Sequence, residues 1–474
     1  MTGRVVVVGA GIGGLTAAIR LAQRGVEVVV LEARNAPGGL ACDSVFDGLT
    51  FDSGPYILLD RPGLAWAFAR LDLDLDALVP LRRIEHVYEV ATPRGTRVRF
   101  HADLALTSDG FERQWPGSGS RYRAFVAEMR AIHARLQPLL QVSRPGLRQL
   151  IAAGGWRHLR FLLSSLGAVL RRSGLPGDLC QAIAIWTHVA GQSVEQAPSP
   201  LAFVPALIHD PGAFYPTGGI GSIIAALRTA AVQRGVQLRH GARVASIRTS
   251  GSAVAGVELV GGEVIASSTV LSNAHGVGTY VRLVADMPAT ARERLTRLPL
   301  QSPGICIYLA VQPLKGSETD PSYLHFDLPG GDRLCRLLVR PGALSSMASR
   351  DGWQPARLIA PMRHAEAEAL GDNGQRRLAD QLIGETWWHP HVGAHRVLHV
   401  RTPSGWGAEF GLYRDSMNPV MTAAFMRAGR LAHRSPFVRG LHLAGSSTHP
   451  GQWLSFCAIS GILSADQLVD GARC

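Results

Sequence analysis

The chain has 474 residues, 46% of them hydrophobic and 18% charged, which exceeds one ordinary core and excludes a disordered polypeptide. The formal charge is +12, but Lys315 is the only lysine and the other basic residues are arginines. No zinc finger, Arg/aromatic ladder or RNA-binding motif accompanies that charge, so it reads as a solvated basic surface with no nucleic acid as partner.

The first element follows four residues, which leaves no room for a signal peptide. Val5 to Val8 form an unbroken β-branched run, the mark of a buried parallel strand. Gly9, Gly11 and Gly14 follow as G-x-G-x-x-G, with Ile12 and Gly13 inside the motif, and a helix is expected over 12–24. The first glycine permits the tight turn, the second lets backbone approach a pyrophosphate, and the third lets helix and strand pack closely. The helix directs its N-terminal amides at the phosphates, and Gly25 ends it. Val26 to Leu31 give the second strand, closing at Glu32, whose carboxylate suits a ribose. Strand, glycines, helix, strand and acid at these spacings specify a dinucleotide site.

Residues 33–56, ARNAPGGLACDSVFDGLTFDSGPY, place Ala33 and then Gly38, Gly39 and Leu40 just beyond the acid, and end in FDSGP. Here the sequence resembles the FAD-dependent oxidoreductases of the amine-oxidase and phytoene-desaturase superfamily, and FDSGP is similar to the FDxGP segment of phytoene desaturases and carotenoid isomerases. The resemblance implies an α/β fold: a Rossmann-like FAD-binding domain of the discontinuous GR2 type with an inserted α+β substrate domain. It implies the nucleotide domain over 1–75, 205–285 and 425–474, and the substrate domain over 76–204 and 286–424. FAD is the implied cofactor. Leu40 departs from the arginine that usually follows the paired glycines.

Region 120–178 is expected to be helix-rich. Within it, WRHLRFLLSSLGAVLRRSG (156–174) has an apolar centre bracketed by Arg157, Arg160, Arg171 and Arg172. It is too short to span a bilayer and reads either as a helix lying at a membrane interface or as a buried helix with basic ends. FYPTGGIGSI (214–223) is similar to the superfamily's YPxGGxGxL block. Val244 to Ile247 then return to the nucleotide domain, Val254 to Ile265 read as a hairpin around Gly261-Gly262, and VLSNAH (270–275) resembles VVSNAD. ICIYLAVQPL (305–314) reads as a strand. TWWHPHVGAH (386–395) offers Trp387, Trp388, His389, His391 and His395 as cavity lining; its histidines lack a carboxylate or cysteine frame, so no metal is expected. TPSGWGAEFGLYRDS (402–416) resembles TPxDWxxxFGxxxG, with Arg414-Asp415 where glycine is frequent.

GSSTHPGQWLSFCAISG (445–461) resembles the segment that closes the flavin site. By that match Gly445, Ser446, Gln452, Trp453 and Leu454 join Gly9, Gly11, Ile12, Gly13, Gly14, Glu32, Ala33, Gly38, Gly39, Leu40 and Val244 around the cofactor. Trp453 stands where the resembled families have glycine, and is expected to narrow the substrate channel. The six cysteines are scattered, which argues against a disulfide scaffold and fits a reducing compartment. The expected enzyme is a cytoplasmic oxidoreductase, free or peripheral at a membrane surface. It would remove hydride from a lipophilic polyene, isoprenoid or secondary metabolite and pass electrons to oxygen, a quinone or another acceptor. Redox-neutral polyene isomerisation and amine oxidation are the alternatives. The histidines weighed as catalytic are His188, His209 and His449, with Trp453 beside them.

Overall fold

The computed structural model describes residues 3–189, 192–314, 322–330, 335–344 and 350–471; Lys315 and Cys474 lie outside them. The Val5–Val8 strand (β1) is buried along its whole length and accepts parallel neighbours on both sides. These are Val28–Leu31 (β2) and, out of sequence order, Val270–Ser272 (β4). Gln237–Arg239 (β3) extends the sheet beyond β2, and Leu441–Leu443 (β5) extends it beyond β4, giving the order β5-β4-β1-β2-β3. All four pairings are parallel, and the strands read as apolar runs because both faces of the central ones are covered.

The first helix, Ile12–Gln23 (α1), lies on one face of this sheet, against the C-terminal helix Leu454–Asp470 (α2). The two approach along small residues. A Cβ placed on Gly461 would stand 2.2 Å from both the Gly13 carbonyl oxygen and Thr16 Oγ1. Thr16 Oγ1 donates to the Ala458 carbonyl across the interface at 3.0 Å. Ion pairs from Arg20 and Arg24 to Asp466 close its outer end.

A second, seven-stranded sheet draws on residues 86–101 and 305–401. Its order is 395–401, 305–311, 354–360, 336–339, 324–327, 86–91, 97–101, antiparallel except where Leu324–Asp327 meets His86–Ala91. Ile305–Val311 is buried along its length at this sheet's interior. The hairpin expected at 254–265 forms as Ala253–Leu259 against Val264–Ala266, with Val244–Ser250 as a third strand. Helices between 104 and 209 pack on the second sheet's edge, the longest of them Ser118–Leu136.

The segment 156–174 is not one helix. It breaks into Gly155–His158, Leu159–Leu162 and Leu166–Arg172, because Ser165 turns outward and accepts the Ala168 amide as an N-cap. The last of these pieces is buried at Leu166, Val169 and Leu170, whereas Trp156, Leu159 and Leu163 are exposed. Among the described residues no helix is long and apolar enough to cross a membrane.

The interior holds neutral imidazoles. Burial pushes His209, His433 and His442 down to about 4. An imidazole with a lowered folded pKa leaves its stability intact above about 6.5 and loses it as pH falls toward the folded value, because only the unfolded chain takes up the proton. Asp43, raised to about 6 by partial burial and by Asp52, works in the opposite direction, as do Asp52 and Asp415, both raised by burial. His275 and His449, lowered to about 3, add to the histidine side. Between pH 7 and 5 each histidine is expected to remove on the order of 1–2 kcal/mol. Thermal melts across that interval should show Tm falling; a level or rising Tm would contradict this account.

Candidate flavin site

The C-terminal edge of the parallel sheet opens on a cavity of about 730 Å³, the place where open α/β sheets bind ligands. Gly9 takes φ +91 at the end of β1, and Gly11, Gly13 and Gly445 present bare backbone around Asn273. A Cβ on any of those three would fall within 2.5–2.7 Å of the Asn273 carboxamide. Gly14 faces away from the cavity and serves packing: its Cβ would lie 2.0 Å from the Gly9 carbonyl oxygen. Helix α1 begins at Gly11 with neither a side-chain cap nor an acid in its first turn, and α2 begins at Trp453 in the same manner. Both termini line the cavity. Two sets of amides are thereby left for oxygen atoms of a ligand.

Glu32, buried at the end of β2, accepts from the amides of Ala10 and Arg34 at 2.8 and 2.9 Å, which fixes its carboxylate at the cavity's edge. Ala33, Gly38, Gly39, Leu40, Val244, Ser446, Gln452 and Leu454 line the same space as Gly9, Gly11, Ile12, Gly13 and Gly445. Every residue expected around a nucleotide cofactor therefore borders one cavity except Gly14, which supports it from behind. A site with bare glycine backbone, a buried carboxylate and two open helix N-termini on one cavity suits FAD.

The far wall comes from other parts of the chain. Ser53 to Asp60 continue from the FDSGP segment; Trp186 and Leu201 come from the helical region; Cys306, Leu337, Arg357 and Ile359 come from the second sheet; Trp406, Phe410 and Tyr413 come from the 402–416 segment. Trp453 lines the cavity and stacks on Phe456 with ring centres 5.1 Å apart. Gln452 Oε1 accepts from Asn418 Nδ2, which also donates to Gln301 Oε1, forming a row of three side-chain amides on the wall.

The histidine expectations fare differently. His449 does not border the cavity. Its Nε2 meets the Leu139 carbonyl at 2.9 Å, its Nδ1 faces Arg430 Nη1 at 3.3 Å, and burial with the Arg430 charge holds it down to about 3. A locked, neutral imidazole is a structural part. His209 is likewise buried between Tyr122 Oη and the Ala102 carbonyl. His188 falls on the helix Gly177–Val189, but its side chain is outside the described residues. The cluster at 386–395 does not line the cavity: Trp388 is fully buried against His389 and His395 in the core of the second sheet. His391 instead stacks on His325, with Glu89 as a third group whose ligand atom lies within 4.8 Å. Both Glu89 oxygens pair with Arg97 and Arg99, which opposes a cation there.

The residues that sequence reasoning missed are Asn273, Arg34, His275 and Arg357. Asn273 had a signal, the resemblance of VLSNAH. His275 accepts the Gly278 amide through Nδ1 and is held neutral at about 3 by burial and by Arg282. Arg34 lies over Phe410, 4.3 Å from the ring centre. Arg357 had no signal, since it sits inside an otherwise apolar strand.

The α1–α2 contact predicts that Gly461→Ala lowers Tm by an amount corresponding to about 1–3 kcal/mol and weakens flavin retention. Gly261→Ala, whose Cβ would meet nothing within 4 Å, should do neither. Equal flavin content and Tm in the two variants would reject the tight contact.

Comparison with known proteins agrees with this geometry. Residues 12–277, more than half of the chain, match the family described as flavin containing amine oxidoreductase. The zeta-carotene-forming phytoene desaturase of Myxococcus xanthus is 28% identical, over 99% of this chain and 94% of that protein. The hydroxyneurosporene desaturase of Rubrivivax gelatinosus is 27% identical, over 99% and 93%. Among solved structures, an oxidoreductase from Methanosarcina mazei superposes with TM-score 0.66 at 17% identity, covering 97% of this chain and 99% of its own. A putrescine oxidase variant redesigned at its cofactor site gives 0.66 at 16%, covering 100% and 99%. The chain belongs to the family of flavin-containing amine oxidoreductases, and its cofactor is FAD.

Proposed function

We propose that this protein is an FAD-dependent desaturase acting on a lipophilic polyene, isoprenoid or related secondary metabolite. The observation that carries the reading is that one cavity joins the glycine-lined nucleotide cradle to a wall of Tyr56, Leu58, Trp186, Leu201, Leu337 and Ile359. Such a wall strips water from a hydrocarbon chain and holds it by dispersion and burial. The full-length similarity to carotenoid desaturases supports the same choice of substrate.

The flavin, when bound, supplies a hydride acceptor. We assign Gly9, Gly11, Gly13 and the α1 N-terminus to its pyrophosphate, Glu32 to its ribose, and the α2 N-terminus at Leu454 to the ring end, where the positive helix terminus favours added negative charge. The chain's own contribution is positional. The apolar wall fixes an allylic C–H bond and keeps water out. The imidazole and the carboxylate at the wall are already engaged: His275 as a neutral acceptor, and Asp60 by the Gly63 amide and Ser455 Oγ. A water molecule is therefore the assigned proton acceptor. Oxygen or a quinone is the assigned electron acceptor.

A membrane surface is the proposed source of such a substrate. Leu147, Ile151, Trp156, Leu159 and Leu163 are all exposed, by 44–71%. The short helices that carry them contact one another in sequence, and Arg144, Arg148, Arg157, Arg160, Arg171 and Arg172 are exposed around them. Apolar side chains ringed by arginine suit the boundary of an anionic bilayer.

Two measurements test these readings. Phytoene or a related polyene delivered in liposomes should bleach the flavin anaerobically and yield a product two hydrogens lighter. A product of unchanged mass would make the enzyme an isomerase, and bleaching by amines alone would make it an amine oxidase. The double substitution Leu159→Glu and Leu163→Glu should abolish flotation with anionic liposomes while leaving flavin content unchanged; flotation equal to the unsubstituted protein rejects the membrane face.

A further inference from the structure

Leu300–Gln301 and Asn418–Pro419 pair as a short antiparallel ladder with Gln301 opposite Asn418. Both residues are almost wholly buried where they border the cavity. Asn418 Nδ2 meets three oxygens: the Pro419 carbonyl at 2.7 Å, Gln452 Oε1 at 2.8 Å and Gln301 Oε1 at 3.0 Å. A carbonyl can only accept, so the Pro419 oxygen requires the nitrogen of the Asn418 carboxamide on that side. That nitrogen in turn requires oxygen from Gln452, because two amide nitrogens would meet with donors only. The polarity of Gln452 is therefore set by backbone, through Asn418, and its Nε2 is turned away from the row.

Gln452 is half-buried and lines the cavity. Its Nε2 meets no acceptor among the described residues, and it is not one of the polar atoms sealed from solvent. It stands two residues before Leu454, the first residue of α2, whose N-terminus opens on the same cavity with neither a side-chain cap nor an acid. A side-chain donor of fixed polarity and a set of open backbone amides thus share one end of the cavity.

We propose that Gln452 Nε2 donates to a ring carbonyl oxygen of the flavin, and that Asn418 is the positioning residue that keeps it a donor. This inference rests on the placement of the flavin's ring end at the α2 N-terminus. A hydrogen bond strengthens when its acceptor gains negative charge. The donor therefore favours the reduced cofactor over the oxidised one and raises the flavin potential.

The test uses the full chain loaded with FAD isotopically labelled at its ring carbonyls, read by infrared difference spectroscopy and by redox titration. In the unsubstituted protein at least one ring carbonyl stretch should lie below its value in an aprotic solvent. Gln452→Leu should raise that stretch and weaken the preference for reduced flavin about tenfold, which is about 30 mV for a two-electron couple. Asn418→Leu, which frees Gln452 to turn, should give the same changes in smaller measure. Gln452→Glu keeps the shape but presents lone pairs, so it should lower the potential further than Gln452→Leu. A lowered stretch that Gln452→Leu leaves in place, with the potential unmoved, overturns the inference and keeps the ring-end placement, the α2 amides then being the donors. A change in Gln452→Leu that Asn418→Leu does not reproduce overturns the role of Asn418. Both stretches at their aprotic values in the unsubstituted protein remove the ring-end placement and this inference together, a result that needs no variant to fold.

Discussion

The contact on which the site depends is the meeting of α1 and α2 at backbone distance. Gly13 and Gly461 have no side chains, and Thr16 satisfies its hydroxyl inside the interface by donating to the Ala458 carbonyl. The close approach brings two helix N-termini from opposite ends of the chain to the same cavity. Each terminus leaves backbone amides unsatisfied, so the arrangement costs free energy in the empty protein and is stabilised when ligand oxygens occupy it. Gly461, which does not border the cavity, therefore supports the binding site from behind, while Gly13 lines it.

The second constraint is the attachment of the second sheet to the FDSGP segment, whose strand Leu49–Asp52 pairs with Asp43–Phe46 in a two-stranded sheet of its own. Asp52, Ser53 and Gly54 divide two roles among three residues. Asp52 ties the Tyr215 and Ile220 segment to this strand, while Ser53 and Gly54 offer carbonyls to Arg357 of the other sheet. Gly54 has no room for a side chain, since its Cβ would lie 2.6 Å from the Leu40 carbonyl oxygen. The nucleotide half and the wall opposite are thereby registered to one another by hydrogen bonds to backbone. Backbone carbonyls fix that register whatever side chains surround them.

The nucleotide half of the site was legible in the sequence because its requirements are local. A four-residue β-branched run, glycines at fixed offsets and an acid at a strand end each impose a residue type at a spacing. The opposite wall was less legible: only its FDSGP and 402–416 members lie in recognisable segments, and the rest come from separated positions that share mainly apolar character. Arg357 illustrates the limit: nothing in QPARLIA distinguishes a buried arginine from a surface one, and only the neighbouring strands decide it. The segment 156–174 failed for the opposite reason. Its apolar content suggested one helix, but Ser165 could cap as readily as continue, and tertiary burial of Leu166, Val169 and Leu170 settled the break. The histidines misled in a similar way, because the residue type fits both a base and a buried hydrogen-bonded imidazole.

The distribution of charge in the interior bears on the chemistry. His209, His275, His433, His442 and His449 are all held neutral by burial, and the carboxylates at the cavity, Glu32 and Asp60, are each committed to backbone amides. An enzyme that abstracts protons as its main task keeps a base poised near working pH, with its lone pair aimed at the substrate. In this protein the imidazole lone pairs are turned into the scaffold, while the open amides of the α1 and α2 N-termini line the cavity. Donors facing inward stabilise negative charge that arrives in the site and orient oxygen atoms. That pattern suits hydride removal from carbon far better than general base catalysis, and it makes the position of the substrate, more than the strength of any acid or base, the quantity the fold controls.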